Sequence, residues 1–274
     1  MDIKAFKMDG LGNDFVIIDQ RIQNLNLSKD QIIKICDRRF IGCDQLIFIK
    51  KNSEIDAGLE FYNSDGSMSE ACGNGTRCIA DFLSKEKNQK EITVLTSSGL
   101  LKSKILGNNL VETEIGIPKI NWEEIPLSKK LDTKDLKIEI KDKNNNKHIG
   151  GVAVNVGNPH IVFFVNDIEI FDLKKVGPEI ENHKFFPKKC NVTLAKVINK
   201  NLIKVKVWER GAGLTKACGT AACATAVAGN IQGLIDKTTD IEFLLGKLTI
   251  SIDEKNSIHM KGPVSNIKNI EIKL

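Results

Sequence analysis

Two cysteines, Cys72 and Cys218, lie in nearly the same sequence context. The stretch EACGNGTRCIADF begins at Glu70, and the stretch KACGTAACATAVA begins at Lys216. In each stretch a Cys-Gly pair is followed by a polar residue and then by an apolar run, and the two cysteines are 146 positions apart. The apolar runs predict a helix directly after each cysteine.

The start of a helix favours proton exchange at a thiol. The first N–H groups of a helix have no partners within it and carry partial positive charge, which stabilises a thiolate or a bound carboxylate. Gly73 and Gly219 follow the two cysteines, and glycine lets the backbone turn tightly and approach a ligand. A thiolate on one face of a carbon can remove a proton while a thiol on the other face delivers one, so the pair predicts inversion of a carbon centre without a metal or a cofactor. Two such thiols titrate as a coupled pair.

The seven cysteines leave other interpretations open. An odd count without a paired spacing is typical of free thiols, and Cys36, Cys43 and Cys190 fit small buried hydrophobic residues. Cys72 and Cys218 could also cap the helices of a duplicated core without reacting. A third interpretation is a zinc site that uses the pairs Cys72–Cys78 and Cys218–Cys223, although these spacings differ from those of common zinc knuckles.

The sequence carries a second repeat signal in addition to the cysteines. Similar residues recur at an offset of 145 to 147 from one end of the chain to the other. We therefore predict two halves with the same fold. The matched pairs are Asn13 with Asn158, Gln45 with Asn191, Asn63 with Glu209, Ala80 with Ala226, Gly99 with Gly246, and Gly116 with Gly262.

Local patterns predict the elements of each half. Ser28 and Gln31 form a capping-box pattern for a helix whose apolar positions include Ile32, Ile35 and Phe40. The helix after Cys218 is apolar on all sides, which indicates a central helix wrapped by a curved sheet. Residues 92–117 and 240–262 are typical of antiparallel hairpins, and the lysine-rich residues 129–148 of a surface hairpin.

We therefore predict an α/β (α+β) fold with two pseudo-symmetric halves. Each half is expected to be a barrel-like, mostly antiparallel sheet around a central helix. The N-terminal half spans residues 1–117 and is joined by the tail at 263–274, while the C-terminal half spans residues 118–262.

Polar residues at matched positions are candidates for binding. A single asparagine beside a glycine is usually a turn residue, but Asn13, Asn63, Asn158 and Asn191 recur in both halves. Residues Glu209-Arg210 interrupt an apolar run and could bind the ammonium and carboxylate groups of a zwitterion. His160 directly follows the Gly-Asn-Pro segment at residues 157–159 and could tune a nearby thiol.

Composition limits the possible partners. The 274 residues are 41% hydrophobic and 27% charged, and the net charge of +5 is spread along the chain. Aromatic residues make up 5%, and no basic stripe contains interleaved aromatics, which argues against a nucleic-acid partner. No secretory signal or membrane-length apolar run is seen, so we expect a cytoplasmic protein without a membrane partner.

The chain resembles the diaminopimelate epimerase family over essentially its full length. The segments that carry the resemblance are KMDGLGNDFVIID, NSDGSMSEACGNGTRC, VGNPH and WERGAGLTKACGTAACA. The resemblance implies two α/β halves with the active site in the cleft between them, and interconversion of LL- and meso-diaminopimelate for lysine and peptidoglycan synthesis. It also implies that no cofactor or metal is used and that the partner is the small-molecule substrate, with a homodimer as the usual assembly.

The resemblance assigns roles residue by residue. Cys72 and Cys218 would be the acid/base thiols, and His160 and Glu209 would tune them. The remaining positions would bind substrate, partly through backbone N–H groups; they are Asn13, Gln45, Asn63, Gly73, Asn74, Asn158, Asn191, Glu209, Arg210, Gly219 and Thr220.

Two positions depart from the family pattern, and one alternative function stays open. Leu214 and Ala221 stand where many members have Glu and Gly, which affects only local loop detail. The related proline racemases also use a pair of cysteines. The alternative function is therefore that of a racemase or epimerase of another amino acid, such as proline or glutamate. The Glu209-Arg210 pair favours a substrate with a distal charged centre.

Overall fold

The computed structural model describes residues 2–23, 25–69 and 72–274 of the chain, so the Glu70-Ala71 pair before Cys72 lies outside the described residues. The helices within these ranges are α1 (Lys29–Cys36), α2 (Gly73–Lys87), α3 (Leu173–Glu181) and α4 (Gly219–Ile231). The first ten strands are β1 (Asp2–Gly10), β2 (Asn13–Asp19), β3 (Gln45–Lys50), β4 (Ala57–Asn63), β5 (Met68–Ser69), β6 (Glu91–Thr96), β7 (Gly99–Gly107), β8 (Leu110–Gly116), β9 (Ile138–Lys141) and β10 (Lys147–Gly150). The remaining strands are β11 (Val152–Asn155), β12 (Pro159–Phe164), β13 (Asn191–Asn199), β14 (Leu202–Glu209), β15 (Gly213–Thr215), β16 (Thr238–Phe243), β17 (Gly246–Ile252), β18 (Ile258–Pro263) and β19 (Lys268–Lys273).

The chain forms two compact units. Unit 1 comprises Met1–Glu114 and Lys261–Leu274, and unit 2 comprises Ile115–Met260. The elements from β1 to β8 and those from β11 to β18 follow the same order: two strands, a helix, three strands, a helix and three strands. The mixed α/β fold with two repeated halves predicted from the sequence is therefore confirmed.

Unit 1 contains a mostly antiparallel sheet. Strand β1 pairs antiparallel with β2 and with the C-terminal strand β19, and β3–β4, β6–β7 and β7–β8 are also antiparallel. The parallel pairs β2–β3 and β4–β6 are the two places where a helix, α1 or α2, connects the strands. A parallel connection needs such a crossover because the chain must return to the same end of the sheet.

Unit 2 repeats this pairing with an inserted hairpin. Strands β12–β13 and β14–β16 are parallel and are connected through α3 and α4, while β11–β12, β13–β14 and β16–β17 are antiparallel. The lysine-rich segment forms the separate antiparallel hairpin β9–β10, as predicted. Asp142 holds its turn by accepting hydrogen bonds from the backbone N–H groups of Asn144 and Asn146.

The helices that follow the two cysteines are the cores of their units. Helix α2 contacts β1, β2, β6 and β7, and α4 contacts β11, β12, β13, β16 and β17. Ten of the thirteen residues of α4 are buried, including a continuous run from Ala221 to Gly229, so the central position predicted from its apolar sequence is confirmed. None of the helices in the described ranges has both the length and the apolar character needed to cross a bilayer.

Helix α1 confirms one prediction and corrects another. Ser28 is its N-cap, and the capping box with Gln31 is present in both directions. The helix ends at Cys36, however, so Phe40 lies beyond it and is exposed rather than part of its apolar face. The prediction was wrong there because the chain turns at Asp37, whose backbone is extended and therefore no longer helical.

Candidate active site

Cys72 is the N-cap residue of α2 in unit 1. Its backbone is extended (φ −132°, ψ 112°), and no side-chain hydrogen bond caps the helix. The helix begins with Gly73, and Thr76 N–H donates to the Cys72 carbonyl oxygen over 2.8 Å. The first N–H groups of α2 therefore include donors without a partner inside the helix, which is the arrangement that attracts an anion.

A chain of amide groups surrounds the Cys72 thiol. Asn13 Oδ1 accepts from Cys72 Sγ at 3.5 Å and from Asn74 Nδ2 at 3.3 Å, while Asn13 Nδ2 donates to Asp44 Oδ2 at 2.9 Å. The buried Arg77 donates to Asn74 Oδ1 at 2.9 Å. The orientation of the Asn13 amide is thus fixed from both ends, with its oxygen towards the sulfur.

Gln45 and Asn63 form a second polar pair in unit 1. They are directly opposite each other on β3 and β4, and Gln45 Nε2 donates to Asn63 Oδ1 over 2.9 Å. The turn after Asn63 is self-contained, because Asn63 N–H donates to the Ser67 carbonyl oxygen and Asp65 accepts from both the N–H and the hydroxyl of Ser67. Asp65 and Ser67 therefore hold the turn that presents Asn63.

Cys218 is the N-cap residue of α4 in unit 2. Its backbone (φ −143°, ψ 117°) closely resembles that of Cys72, and the helix again begins with a glycine, Gly219. Cys218 Sγ lies 3.4 Å from the Thr220 hydroxyl. Burial raises the pKa of the Cys218 thiol well above its usual value, and the adjacent Glu209 carboxylate, which accepts a hydrogen bond from the thiol, raises it further. These surroundings favour the neutral form of the Cys218 thiol.

The polar residues on β12 and β13 surround a buried histidine. His160 Nε2 lies 2.7 Å from Asn158 Oδ1 and therefore carries the proton of that hydrogen bond, and Asn191 Nδ2 lies 3.4 Å from the same nitrogen. Burial lowers the pKa of His160 to about 3, with the positive charge of Arg210 as a second cause. The imidazole is therefore neutral, and its Nδ1 is a buried acceptor without a hydrogen-bond partner in the described part of the chain.

Asn191 also holds the residues after β14. Its Oδ1 accepts from Arg210 N–H at 2.9 Å, and the Arg210 guanidinium donates to the Lys188 carbonyl oxygen at 3.0 Å. Glu209 is half-buried whereas Arg210 is exposed. The carboxylate and the guanidinium therefore stand at consecutive positions of one turn, each with a partner inside unit 2.

The structure brings the predicted residues together within each unit. In unit 1, Asn13, Cys72 and Asn74 share one network, Gln45 pairs with Asn63, and Gly73 opens the helix. Unit 2 has two such groups, in which Cys218 contacts Thr220 and Glu209, and Asn191 contacts His160 and Arg210. Asn158 completes the second group, and Gly219 opens α4.

Three supporting residues were missed in the sequence. Asp44 anchors Asn13, Arg77 anchors Asn74, and Glu181 accepts from the Trp208 indole and from Gly211 N–H. Asp44 lies next to Gln45, and Arg77 lies within the stretch that begins at Glu70 and contains Cys72. Closeness in sequence to candidate residues could therefore have indicated these two, whereas Glu181 has no such neighbour. In residues 2–23, 25–69 and 72–274, no three His, Cys, Asp or Glu side chains converge as metal ligands.

The fold defines a class of solved structures that includes proteins described as epimerases. A protein described as a predicted epimerase from Pseudomonas aeruginosa matches with a TM-score of 0.70 at 12% identity, covering 99% of both chains. A phenazine biosynthesis protein of the PhzF family from Bacillus anthracis matches with a TM-score of 0.68 at 15% identity, covering all of both chains. A hydroxyproline epimerase from Agrobacterium vitis matches with a TM-score of 0.67 at 10% identity, covering 99% of this chain and 91% of its own. At these identities the likeness shows the fold alone.

Sequence comparison narrows this class to one family. The family model described as diaminopimelate epimerase matches twice, at residues 5–120 and 152–267. A diaminopimelate epimerase from Pelagibacter ubique is 82% identical over the whole length of both chains, and one from Acidiphilium cryptum is 40% identical over 94% of this chain and 92% of its own. The chain belongs to the diaminopimelate epimerase family and is an isomerase of the epimerase type.

Proposed function

We propose that this protein interconverts LL- and meso-2,6-diaminopimelate, with Cys72 and Cys218 as the two acid/base groups. The observation that carries the proposal is that both cysteines are N-cap residues of the central helices, with almost the same backbone conformation and a glycine directly after each. One thiolate would remove the α-proton and the opposite thiol would deliver a proton to the other face. The proposal requires both thiols to reach one α-carbon.

The helix starts would bind the carboxylate of the reacting centre. Backbone N–H groups at Gly73, Asn74, Gly219 and Thr220 belong to the first turns of α2 and α4, where donors lack partners in the helix. An α-proton becomes more acidic when the negative charge that develops next to it is stabilised, and preorganised N–H donors do this effectively. The same groups would therefore position the substrate and lower the barrier.

The remaining polar residues would bind the distal centre of the substrate and orient the reacting one. Diaminopimelate carries an ammonium and a carboxylate at each end, and Glu209 and Arg210 offer one group of each charge at a single turn. Asn13, Gln45, Asn63, Asn158 and Asn191 would contribute amide hydrogen bonds. This charge complement favours diaminopimelate over the alternative of a two-cysteine racemase acting on proline, which has no distal charged centre.

The two thiols would start in different protonation states. Cys218 would be the neutral thiol beside Glu209, so it is suited to donate a proton first, and Cys72 would be the group that accepts one. After the forward reaction Cys218 would be the thiolate and Cys72 the thiol, so in the reverse direction Cys218 would remove the α-proton and Cys72 would deliver one. His160, whose Nδ1 acceptor has no partner among the residues that the structure describes, would serve as a second tuning group.

The experiment is a deuterium-exchange assay with a panel of substrates. In D2O and with a chelator present, LL- and meso-diaminopimelate should gain deuterium at one α-position, and proline and glutamate should gain none. Exchange into proline or glutamate instead would favour the alternative racemase. No exchange into any substrate by reduced protein would overturn the proposal.

Two coarser expectations belong to the same proposal. Members of the family are expected to form homodimers, and an enzyme that supplies lysine and peptidoglycan precursors is expected in the cytoplasm. Analytical ultracentrifugation across a range of concentrations tests the dimer, and fractionation of producing cells tests the location.

A further inference from the structure

The Glu209–Gly213 turn connects β14 to β15 and carries two residues of the candidate site. Glu209 pairs with Gly213 across the turn, and Ala212 N–H donates to the Glu209 carbonyl oxygen at 3.1 Å. Gly211 and Gly213 both have positive φ angles, 76° and 85°. The position of the Glu209 carboxylate beside Cys218 depends on how firmly this turn is held.

The matched turn in unit 1 is stabilised by its own side chains, whereas the Glu209–Gly213 turn is stabilised by side chains from elsewhere in unit 2. In the Asn63–Ser67 turn, Asp65 and Ser67 supply a carboxylate and a hydroxyl that bond to each other and to the turn backbone. After Arg210, the Glu209–Gly213 turn consists only of Gly, Ala and Gly, and these residues have no polar side chains. Two of its backbone donors, the N–H groups of Arg210 and Gly211, bond to side chains from elsewhere in unit 2, namely Asn191 and Glu181.

Glu181, the last residue of α3, supplies one of those acceptors. It is buried, its Oε1 accepts from Gly211 N–H at 3.1 Å, and its Oε2 accepts from the Trp208 indole N–H at 2.7 Å. Trp208 and Gly211 flank Glu209 and Arg210 in the chain. The two oxygens of the Glu181 carboxylate thus hold the turn by hydrogen bonds on either side of Glu209 and Arg210.

The packing of α3 against Trp208 keeps the Glu181 carboxylate in a fixed position. A β-carbon at Gly177 would lie 2.4 Å from Trp208 Cγ, so the indole lies directly on the helix backbone one turn before Glu181. The half-exposed Lys189 ammonium lies 3.8 Å from Glu181 Oε1 and gives partial charge compensation. A carboxylate removed from water is tolerated only when its oxygens are satisfied in this way.

We propose that Glu181 is a positioning residue that holds the Glu209–Gly213 turn and thereby places Glu209 against the Cys218 thiol. The catalytic consequence rests on the proposed function, whereas the structural one does not. Glu181 touches neither thiol directly, so its effect passes through the turn.

The test compares Glu181→Gln with Glu179→Gln. Glutamine keeps one acceptor oxygen but turns an NH2 group towards the other donor, so one of the two hydrogen bonds is lost. Glu179 lies on the same helix and is exposed, which makes its substitution the matched control. Because the chain has two tryptophans, the indole N–H resonance of Trp208 can be assigned with a Trp122→Phe variant.

Three readouts carry the result. In Glu181→Gln the Trp208 indole N–H resonance should move upfield or the Gly211 amide should exchange faster, because one hydrogen bond is lost. The alkylation rate of Cys218 should begin to rise at a lower pH than in the wild type, because Glu209 no longer faces the thiol. We expect kcat/KM for diaminopimelate to fall by roughly tenfold or more, since small displacements of positioning groups have effects of this size. Glu179→Gln should match the wild type in all three.

Failure of the positioning role and failure of the proposed function give different results. An unchanged pH profile of Cys218 alkylation in a folded Glu181→Gln variant would overturn the positioning role, whatever the activity. If the wild type does not act on diaminopimelate, the proposed function fails, while the indole, amide and alkylation readouts still decide the role of Glu181. If Glu181→Gln does not fold, Glu181→Asp is used, which keeps both carboxylate oxygens on a shorter side chain. It should shift the pH profile of Cys218 alkylation in the same direction by a smaller amount, and an unchanged profile would again contradict the proposal.

Discussion

The two helix starts share a backbone but differ in their surroundings. Cys72 and Cys218 have φ and ψ values within about 11° of each other, and each precedes a glycine that opens a long helix. The Cys72 thiol donates to the neutral amide of Asn13, which also accepts from Asn74, and the buried Arg77 donates to Asn74. Around Cys218 the contacts are a hydroxyl and a carboxylate, Thr220 and Glu209.

This difference shows how a duplicated fold can place two thiols in unlike surroundings. The helix N-terminus is common to both units and offers the same N–H groups to an anion. The charge beside the sulfur is not common, because Glu209 in unit 2 occupies the position of Asn63 in unit 1. The proposed two-base reaction needs one protonated and one ionised thiol, and the proposal attributes this asymmetry to the different residues beside the two sulfurs.

The largest effects are expected at the cysteines. Cys72→Ala and Cys218→Ala should each lower kcat for epimerisation by about 10²–10⁴-fold, the usual contribution of a general acid or base. Cys223→Ala, in the same helix as Cys218 but inside the core, is the control and should stay within about threefold of the wild type. Retention of full activity in either of the first two variants would remove the basis of the comparison.

The second prediction concerns acid stability, because unit 2 contains a buried imidazole where unit 1 contains Phe15. His160 pairs with Asn191 in the same register in which Phe15 pairs with Gln45. Burial, together with the charge of Arg210, lowers the pKa of His160 from 6.5 to about 3. The unfolded chain therefore binds a proton that the folded chain does not, and the free energy of unfolding falls as the pH drops from about 6.5 towards 3.

Fully developed near pH 3, this contribution to the free energy of unfolding is on the order of 5 kcal/mol, since the pKa is lowered from 6.5 to about 3 and one pKa unit corresponds to about 1.4 kcal/mol. Urea titrations at a series of pH values should show a shallower acid loss for His160→Gln than for the wild type. The comparison uses the slope, because the substitution of a buried residue also changes stability at neutral pH. Equal slopes would mean that His160 is not held neutral.

The third prediction sharpens the electrostatic difference between the thiols. Glu209→Gln removes a carboxylate that raises the pKa of Cys218, so the pH at which Cys218 becomes reactive should fall and its alkylation at neutral pH should become severalfold faster. Peptide mass spectrometry after iodoacetamide treatment measures this for Cys218 and Cys72 in one sample. A slower reaction at Cys218 would contradict the assigned role of Glu209.

The smallest predicted effects are in the packing of the two central helices. A β-carbon at Gly75 in α2 would lie 2.8 Å from Ile47 Cδ1 and 2.9 Å from Phe61 Cε1, whereas the matched position in α4 is Ala221, already buried. Gly75→Ala should cost about 1–3 kcal/mol through overpacking. Ala221→Gly should cost about 1 kcal/mol through helix propensity. Urea denaturation measures both, and a stabilising Gly75→Ala would show that the two units pack alike.

The sequence predicted those parts of the molecule that local patterns or repetition encode. The capping box at Ser28, the apolar helix after Cys218 and the hairpin at 129–148 each have a short-range cause, and all three are present. The end of α1 was missed because helix periodicity continues to Phe40 although the chain turns at Asp37.

The candidate site was predicted less completely than the fold. Recurrence at a constant offset selected Asn13, Asn63, Asn158 and Asn191, since duplication preserves positions that matter in both halves. Glu181 and Asp44 have no such signal, because each acts through a contact specific to its own unit. Long-range hydrogen bonds of this kind depend on the folded register rather than on any local pattern.

The most direct test of the two-thiol account follows the isotope in the first turnovers. LL-diaminopimelate is incubated in D2O, and both the recovered substrate and the newly formed meso isomer are analysed by mass spectrometry at low conversion. If separate thiols act on the two faces, the new isomer should carry one deuterium while the recovered substrate carries almost none. Equal labelling of both pools, or a product that retains the original proton, would indicate a single base and contradict the account.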